Sequence, residues 1–254
     1  MERIGALEGI RVIDISRVLA GPYCTMLLGD MGATVTKIEQ PEVGDISRQW
    51  GPPWIGSESA YFLSVNRNKK SLTLNLKDPR GQLILEKLIK ASDIVVENFL
   101  PGTMEKMKLD YPSLQEKHPE LIYCSITGYG QTGPRRNDPG FDFIIQAEGG
   151  IMSTTGPVDN EPYKIGVAIV DILTGMHANN AILAALFYRS KSGLGQYIDV
   201  SLLDSEIASL LNVAHNSFAS GKNPDRYGNA HANIVPYEVF STKDGAVALA
   251  VGTD

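Results

Sequence analysis

Asp171 is the residue of this chain whose type and setting are best suited to chemistry. It stands at the junction between an apolar run and a long helical pattern, within Lys164-Ile165-Gly166-Val167-Ala168-Ile169-Val170-Asp171-Ile172-Leu173-Thr174-Gly175. With apolar positions on both sides the carboxylate is expected to be partly desolvated, and an anion in such a setting is paired, neutralised or kept for reaction. Stripped of part of its water, a carboxylate is a better nucleophile. The same residue could instead cap a helix over 172–190, accepting hydrogen bonds from the free N–H groups at its start. Spacing alone leaves both readings open.

Four other segments have residues suited to a ligand. Gly21-Pro22 follows the first predicted strand, where an α/β fold places its ligand loop. Asn66-Arg67-Asn68-Lys69-Lys70-Ser71 sets cations ahead of a strand, as an anion cradle or as a solvated basic turn. Glu97-Asn98-Phe99-Leu100-Pro101-Gly102 offers an amide and a ring to a heteroaromatic ligand, or is a plain strand exit. Gly128-Tyr129-Gly130-Gln131-Thr132-Gly133-Pro134 is a glycine-dense loop that a ligand could approach closely, or a flexible connection. No GxGxxG follows the first predicted strand, and GxxxxGK[ST] and GxSxG patterns are absent from the chain, which argues against dinucleotide binding, NTP binding and serine hydrolysis. His118, His177, His215 and His231 show no HExxH or paired ligand spacing, so no metal is expected.

The elements that must position these residues alternate. Period-two and period-3.6 patterns predict strands over 10–15, 34–39, 71–76, 93–97, 121–126, 196–200 and 246–251, and helices over 23–31, 79–91, 112–117, 172–190 and 202–219. Such alternation predicts an α/β fold with a doubly wound, Rossmann-like parallel sheet. Two long polar loops rich in Gly and Pro, 41–59 and 128–138, interrupt it where short connections are the norm, and such loops usually carry function.

Composition narrows the classes. At 254 residues and 43% hydrophobic the chain can bury a sizeable core in one or two domains. A net charge of -6 argues against general affinity for nucleic acid or an anionic membrane, so an anionic ligand would need a local basic pocket. Cys24 and Cys124 lie in apolar segments without CxxC spacing, which fits a reducing compartment. The start, Met1-Glu2-Arg3-Ile4-Gly5-Ala6-Leu7, has no signal-peptide core, and no run reaches the roughly 18 apolar residues of a membrane span. A cytoplasmic location is expected, with the mitochondrial matrix as the alternative.

Six ordered blocks then carry a resemblance. Leu7-Glu8-Gly9-Ile10-Arg11-Val12-Ile13-Asp14, Ser16-Arg17-Val18-Leu19-Ala20-Gly21-Pro22, Leu28-Gly29-Asp30-Met31-Gly32-Ala33, Asn66-Arg67-Asn68-Lys69-Lys70-Ser71, Gly128-Tyr129-Gly130-Gln131-Thr132-Gly133 and Val167-Ala168-Ile169-Val170-Asp171 closely resemble class III CoA-transferases of the CaiB/BaiF type. The resemblance implies a CoA-binding and catalytic Rossmann-like domain over 1–200, a linker helix over 201–225 and, over 226–254, the incomplete start of a second, smaller α+β domain. It implies transfer of CoA from an acyl-CoA to a free carboxylic acid, with Asp171 attacking the donor thioester to form an aspartyl-acyl anhydride. An aspartate in its ordinary range is ionised at neutral pH and needs no general base. CoA is then a substrate and no tightly bound cofactor is expected; no nucleic-acid or membrane partner is implied.

Position by position, the resemblance sets Val18, Leu19 and Ala20 at the thioester end of CoA, with backbone N–H groups toward the developing oxyanion. It sets Leu74, Asn98 and Phe99 at the nucleotide, Gln40 and Lys106 at the phosphates, and Asp142 near the thioester. Gln40 replaces an arginine, and Leu19 a glutamine, of the formyl-CoA enzymes. Phe141-Asp142 replaces the His-Asp pair of the α-methylacyl-CoA racemase relatives, and phenylalanine cannot move a proton at an α-carbon. Tyr227-Gly228-Asn229-Ala230-His231-Ala232-Asn233-Ile234-Val235-Pro236-Tyr237 and Lys243-Asp244-Gly245 resemble the succinyl-CoA:glutarate branch, which favours dicarboxylic acids. Family members interlock as homodimers through a C-terminal return segment, and a glycine-rich lid would begin at Gly252-Thr253, so by this comparison the chain looks C-terminally truncated. The alternatives are a 2-methylacyl-CoA racemase or epimerase and a noncatalytic CoA-binding fragment.

Overall fold

Six short strands, β1 (Arg11–Asp14), β2 (Thr34–Glu39), β5 (Lys69–Thr73), β6 (Ile94–Glu97), β7 (Ile122–Thr127) and β8 (Tyr197–Ser201), all but β5 containing Val or Ile, form one parallel sheet in the order β5-β2-β1-β6-β7-β8. Two further pairs are antiparallel: β3 (Trp54–Ile55) with β4 (Glu58–Ser59), and β9 (Tyr237–Ser241) with β10 (Ala246–Ala250). The helices are α1 (Ala20–Asp30), α2 (Ala60–Ser64), α3 (Pro79–Lys90), α4 (Thr103–Lys106), α5 (Tyr111–Gln115), α6 (Asp142–Gly149), α7 (Ile151–Thr154), α8 (Ile169–Ser192), α9 (Leu202–Ser209) and α10 (Leu211–Ser220). This is a computed structural model and describes residues 5–253; Met1 to Ile4, part of the N-terminal stretch read above, and Asp254 lie outside the described residues.

Alternation along the strands explains the double winding. One face presents Ile13, Val95 and Tyr123 to a core completed by Leu85 and Ile89 of α3, Met104 of α4 and Leu114 of α5. The opposite face presents Val12, Ile94, Ile122 and Cys124, all fully buried, and α1 buries Cys24 and Leu28. Being buried on both faces, the central strands read as continuous apolar runs. β2 breaks that rule with Lys37 and Glu39, both buried.

The described residues fall into two units, one running to Gly140 together with Val170–Ser205, the other made of Phe141–Ile169 and the chain from Glu206 on. The first holds the parallel sheet. The second holds α6, α7, α10 and the β9–β10 hairpin, with Arg226 donating to the carbonyls of Ser153, Pro157 and Asn160. The continuous division at 200 and 225 expected from sequence differs from this one, because the segment 141–169 leaves the sheet unit and returns. The single helix expected over 202–219 is two, α9 and α10, broken where Leu211 takes a φ of 38°.

Helix α8 starts at Ile169, three residues before the expected start, so Asp171 is its third residue and not its cap. By length and composition α8 also meets the test for a membrane span, with mean hydropathy 1.3, contrary to the sequence reading; Val170, Ala178, Ile182 and Ala185 are fully buried in the protein.

Buried charge is the other feature of the sheet unit. Asp14, at the end of β1, accepts from Ser16 N at 2.9 Å, Ser16 Oγ at 2.5 Å, Thr25 Oγ1 at 2.6 Å and Lys69 Nζ at 3.1 Å. Burial raises the cost of its charge, yet Lys69, Lys37 and the two hydroxyls outweigh that and hold its carboxyl well below the usual range. The reading of 66–71 as an anion cradle is corrected here: Lys69 is spent on Asp14 and Arg67 on Asp30. Glu97 is the opposite case. Burial pushes it up to about 7, against hydrogen bonds from the Ser125 hydroxyl and Phe99 N–H, with Asp199 adding to the rise.

Two outcomes are expected. Asp14→Asn leaves Lys69 buried without its counter-charge, and urea unfolding should show a loss of about 3–5 kcal/mol. Glu97 binds its proton more tightly folded than unfolded, so its contribution is fullest below its ordinary 4.5 and is lost as pH rises through about 7. Glu39, held down to about 2 chiefly by Arg48 and Ser71 against its burial, contributes fully above 4.5 and loses that contribution as pH falls. Glu97→Gln should therefore stabilise the protein at pH 8, by on the order of 3 kcal/mol at most, and change little at pH 4.5.

Candidate active site

The winding of the sheet reverses between β1 and β6: successive strands run outward from β1 through β2 to β5, then restart beside β1 at β6 and run the other way. In open α/β sheets the crevice beyond the carboxyl ends of the strands at such a switch is where ligands bind. A cleft of about 800 Å³ lies there, lined by residues that follow β1, β2, β5 and β6, among them Arg17, Gln40, Leu74, Lys77 and Phe99.

The loop leaving β1 is tied to the loop leaving β6. Ile15 N donates to Val96 O at 2.8 Å, and the Asn98 amide brackets Arg17, accepting from its N–H at 2.9 Å and donating to its carbonyl at 2.7 Å. The Arg17 guanidinium lies 4.9 Å from the centre of the Phe99 ring. Next comes Val18 at a φ of 72°, a left-handed conformation that costs a β-branched residue about 1–3 kcal/mol. Leu19, buried, is the N-cap of α1 and makes no side-chain cap hydrogen bond; Ala20, also buried, is the first helical residue.

Helix α1 therefore begins with amides that no side chain caps, and Pro22 in its first turn contributes no N–H. Such a helix start favours negative charge. Gly175 of α8 meets this turn: a Cβ there would lie 2.7 Å from Ala20 O and 3.0 Å from the Tyr23 ring. Asp171, half-buried, sits one helical turn before Gly175 on the same face of α8.

Among the residues expected at the site, Gln40, Leu74 and Phe99 line the cleft and Asn98 fixes its β1 wall. Lys106 is exposed at the end of α4, between the cleft residues Thr103 and Met107. One expectation fails. The Val18 N–H, read as open to an oxyanion, donates to both carboxylate oxygens of Asp45 at 3.3 and 3.2 Å. Asp142 belongs to the second unit, where it opens α6 and accepts from Gln146 Nε2 at 2.6 Å; Gln146 Oε1 in turn accepts from Ile165 N.

Sequence reasoning missed Lys37, Asp45 and Arg17. The available signals were a lysine beside Ile38 near the middle of a predicted strand and Gly44-Asp45 within a loop already marked as too long. It also over-read the 128–134 loop: Gly128 is required because its backbone packs directly on that of Gly140, and Gly130 N and Gln131 N are taken by Thr127 and Asp199.

The model of CoA-transferase family III matches residues 7–254. A succinyl-CoA:glutarate CoA-transferase of Mus musculus is 50% identical over 248 residues, covering 98% of this chain and 57% of its own length. A succinate–glutarate CoA-transferase of Agrobacterium fabrum is 49% identical over 98% of this chain and 64% of its own length. The chain thus spans about three-fifths of these curated relatives. The solved structure of a CaiB/BaiF family protein from Brucella suis superposes with a TM-score of 0.92 at 46% identity, over 98% of this chain and 66% of that one. By the match of the family model over residues 7–254 and the superposition on a CaiB/BaiF family protein, the chain belongs to CoA-transferase family III.

Proposed function

We propose that the protein transfers CoA from an acyl-CoA donor to a dicarboxylic acid, with succinyl-CoA and glutarate as the pair to test first, and that Asp171 is the nucleophile. The observation that carries this is the position of Asp171 one turn from the point where Gly175 seats α8 on the uncapped start of α1, which follows the cleft residues Ile15 and Arg17 in the chain. The names of the relatives, succinyl-CoA:glutarate CoA-transferases among them, support the choice of acids.

A carboxylate oxygen of Asp171 adds to the thioester carbonyl, and the C–S bond then breaks, releasing CoA thiolate and leaving an aspartyl-acyl anhydride. The acceptor carboxylate attacks the aspartyl carbonyl carbon and releases the donor acid, forming a second anhydride. The thiolate then attacks the acceptor carbonyl of that anhydride, giving the new thioester and regenerating Asp171. An anhydride keeps about the activation of a thioester, so no other energy source is needed. Each tetrahedral step places negative charge on an oxygen, and the open amides of Leu19 and Ala20 are the donors suited to it, Val18 being engaged by Asp45.

The cleft takes the nucleotide end of CoA. Arg17 and Lys77 are its exposed or partly exposed cations, while Lys37 is consumed internally, so Gln40 in place of an arginine leaves a modest positive field for the phosphates. The same reading makes the complete protein an interlocked homodimer.

Incubating the complete gene product with succinyl-CoA and trapping with hydroxylamine or borohydride should modify Asp171, as mapped by mass spectrometry. Asp171→Asn should lower turnover by at least about 1,000-fold while CoA affinity changes less than about threefold. Modification at another residue, or exchange of α-hydrogens of a 2-methylacyl-CoA with solvent deuterium, would overturn the assignment.

A further inference from the structure

The segment 16–18 is held by several partners, and within it Val18 takes a left-handed conformation that a β-branched residue does not favour. Ser16 is tied to Asp14 through its N–H and hydroxyl, and Lys37 Nζ donates to its carbonyl at 2.7 Å. Arg17 is bracketed by Asn98. Val18, at a φ of 72°, donates its N–H to Asp45. Two of these restraints come from one buried ion pair, Lys37 Nζ to Asp45 Oδ2 at 2.9 Å, with side chains 2% and 0% exposed.

Asp45 is itself fixed. Its Oδ1 accepts from Ser47 N at 3.0 Å and Ser47 Oγ at 2.8 Å, and its own N–H donates to Glu39 Oε2 at 2.8 Å. Glu39 is clamped by Arg48, which also reaches Glu58 and lies 3.7 Å over the Phe62 ring. Burial opposes the charge on Asp45, yet Lys37 and Ser47 outweigh it and keep the carboxyl below its usual range.

A buried ion pair is poor value as a stabiliser, since two apolar side chains of similar volume often stabilise as much or more. What apolar residues could not do is accept the Val18 N–H and donate to the Ser16 carbonyl at once. That combination fixes the direction in which the chain enters α1, and hence where the amides of Leu19 and Ala20 point.

We infer that the Lys37–Asp45 pair is a positioning device for CoA transfer: it holds Val18 in its left-handed conformation and so aims the open start of α1 at the thioester carbonyl. Neither side chain touches the reacting atoms. The inference rests on the transferase reading given above, and adds to it two residues whose effect is on the chemical step and not on CoA binding.

The experiment uses the complete gene product, succinyl-CoA and glutarate, in steady-state assays paired with thermal melts. The double variant Lys37→Met with Asp45→Leu should fold and melt near the wild type, keep the KM for succinyl-CoA within about threefold and lose about 100-fold in kcat. A pair with a merely structural role would instead leave kcat near the wild-type value once the fold is intact. In a second arm, adding Val18→Gly to Asp45→Asn should recover about tenfold in kcat, because glycine takes a positive φ without the steric penalty. A folded double variant with kcat within about threefold of wild type overturns the inference. If that variant does not fold, the second arm decides: absence of recovery overturns it. Wild-type protein that exchanges no acid with succinyl-CoA refutes the transferase reading itself, a result distinct from an active wild type with equally active variants.

Discussion

The structure depends on how the chain leaves β1. At the switch point it must turn from the middle of a parallel sheet into a helix within a few residues, passing from buried Ile15 and Ser16 to exposed Arg17 and partly buried Val18. Buried N–H and C=O groups need partners, and the N–H groups of 15–18 with the carbonyls of Ser16 and Arg17 find them in Val96, Asp14, Lys37, Asn98 and Asp45. Every one of these partners lies on another strand or on a loop following one, apart from Asp14. The shape of the crevice and the start of α1 are therefore products of the assembled sheet.

Charge is used sparingly outside this turn. Much of the basic character that the sequence offers near the crevice is spent within the protein: Lys69 on Asp14, Lys37 on Asp45, Arg48 on Glu39 and Glu58. An acidic chain that binds an anion must do so with few free cations, and here the means are Arg17 and Lys77 in the cleft together with backbone amides at an uncapped helix start. Glu97, at the end of β6 beside the two residues that shape the crevice wall, completes the picture: a carboxyl whose burial favours the neutral form, next to a site suited to anions.

Much of the fold was legible. The alternation of apolar periods placed the central strands of the parallel sheet and the long helices, because strands buried on both faces and helices with apolar stripes leave strong local patterns, whereas the exposed edge strand β5, at Lys69–Thr73, starts two residues before the expected 71–76. The start of α1 was not legible: Leu19-Ala20-Gly21-Pro22 reads as a turn, since proline is tolerated in a first turn but signals nothing unless the helix is already known. The β3–β4 pair is too short to show a period, and the break between α9 and α10 falls inside a continuous helical pattern. At the site, Asp171 was picked out by its apolar flanks, whereas Asp45 and Lys37 were passed over because a single Lys or Asp in sequence does not announce its partner. The same limit made 66–71 look like a ligand cradle.

By itself the sequence determined the α/β class, the order of its elements, the family through six ordered motifs, and Asp171 as the residue to watch, all of which rest on local periodicity or short contiguous spacing. Tertiary structure decided which charges are free and which are consumed, that the Val18 N–H is occupied, that Gly175 seats α8 on the start of α1, and that 141–169 departs from the sheet unit. These depend on pairings between residues tens of positions apart, set by strand order and close packing, and no local pattern encodes them.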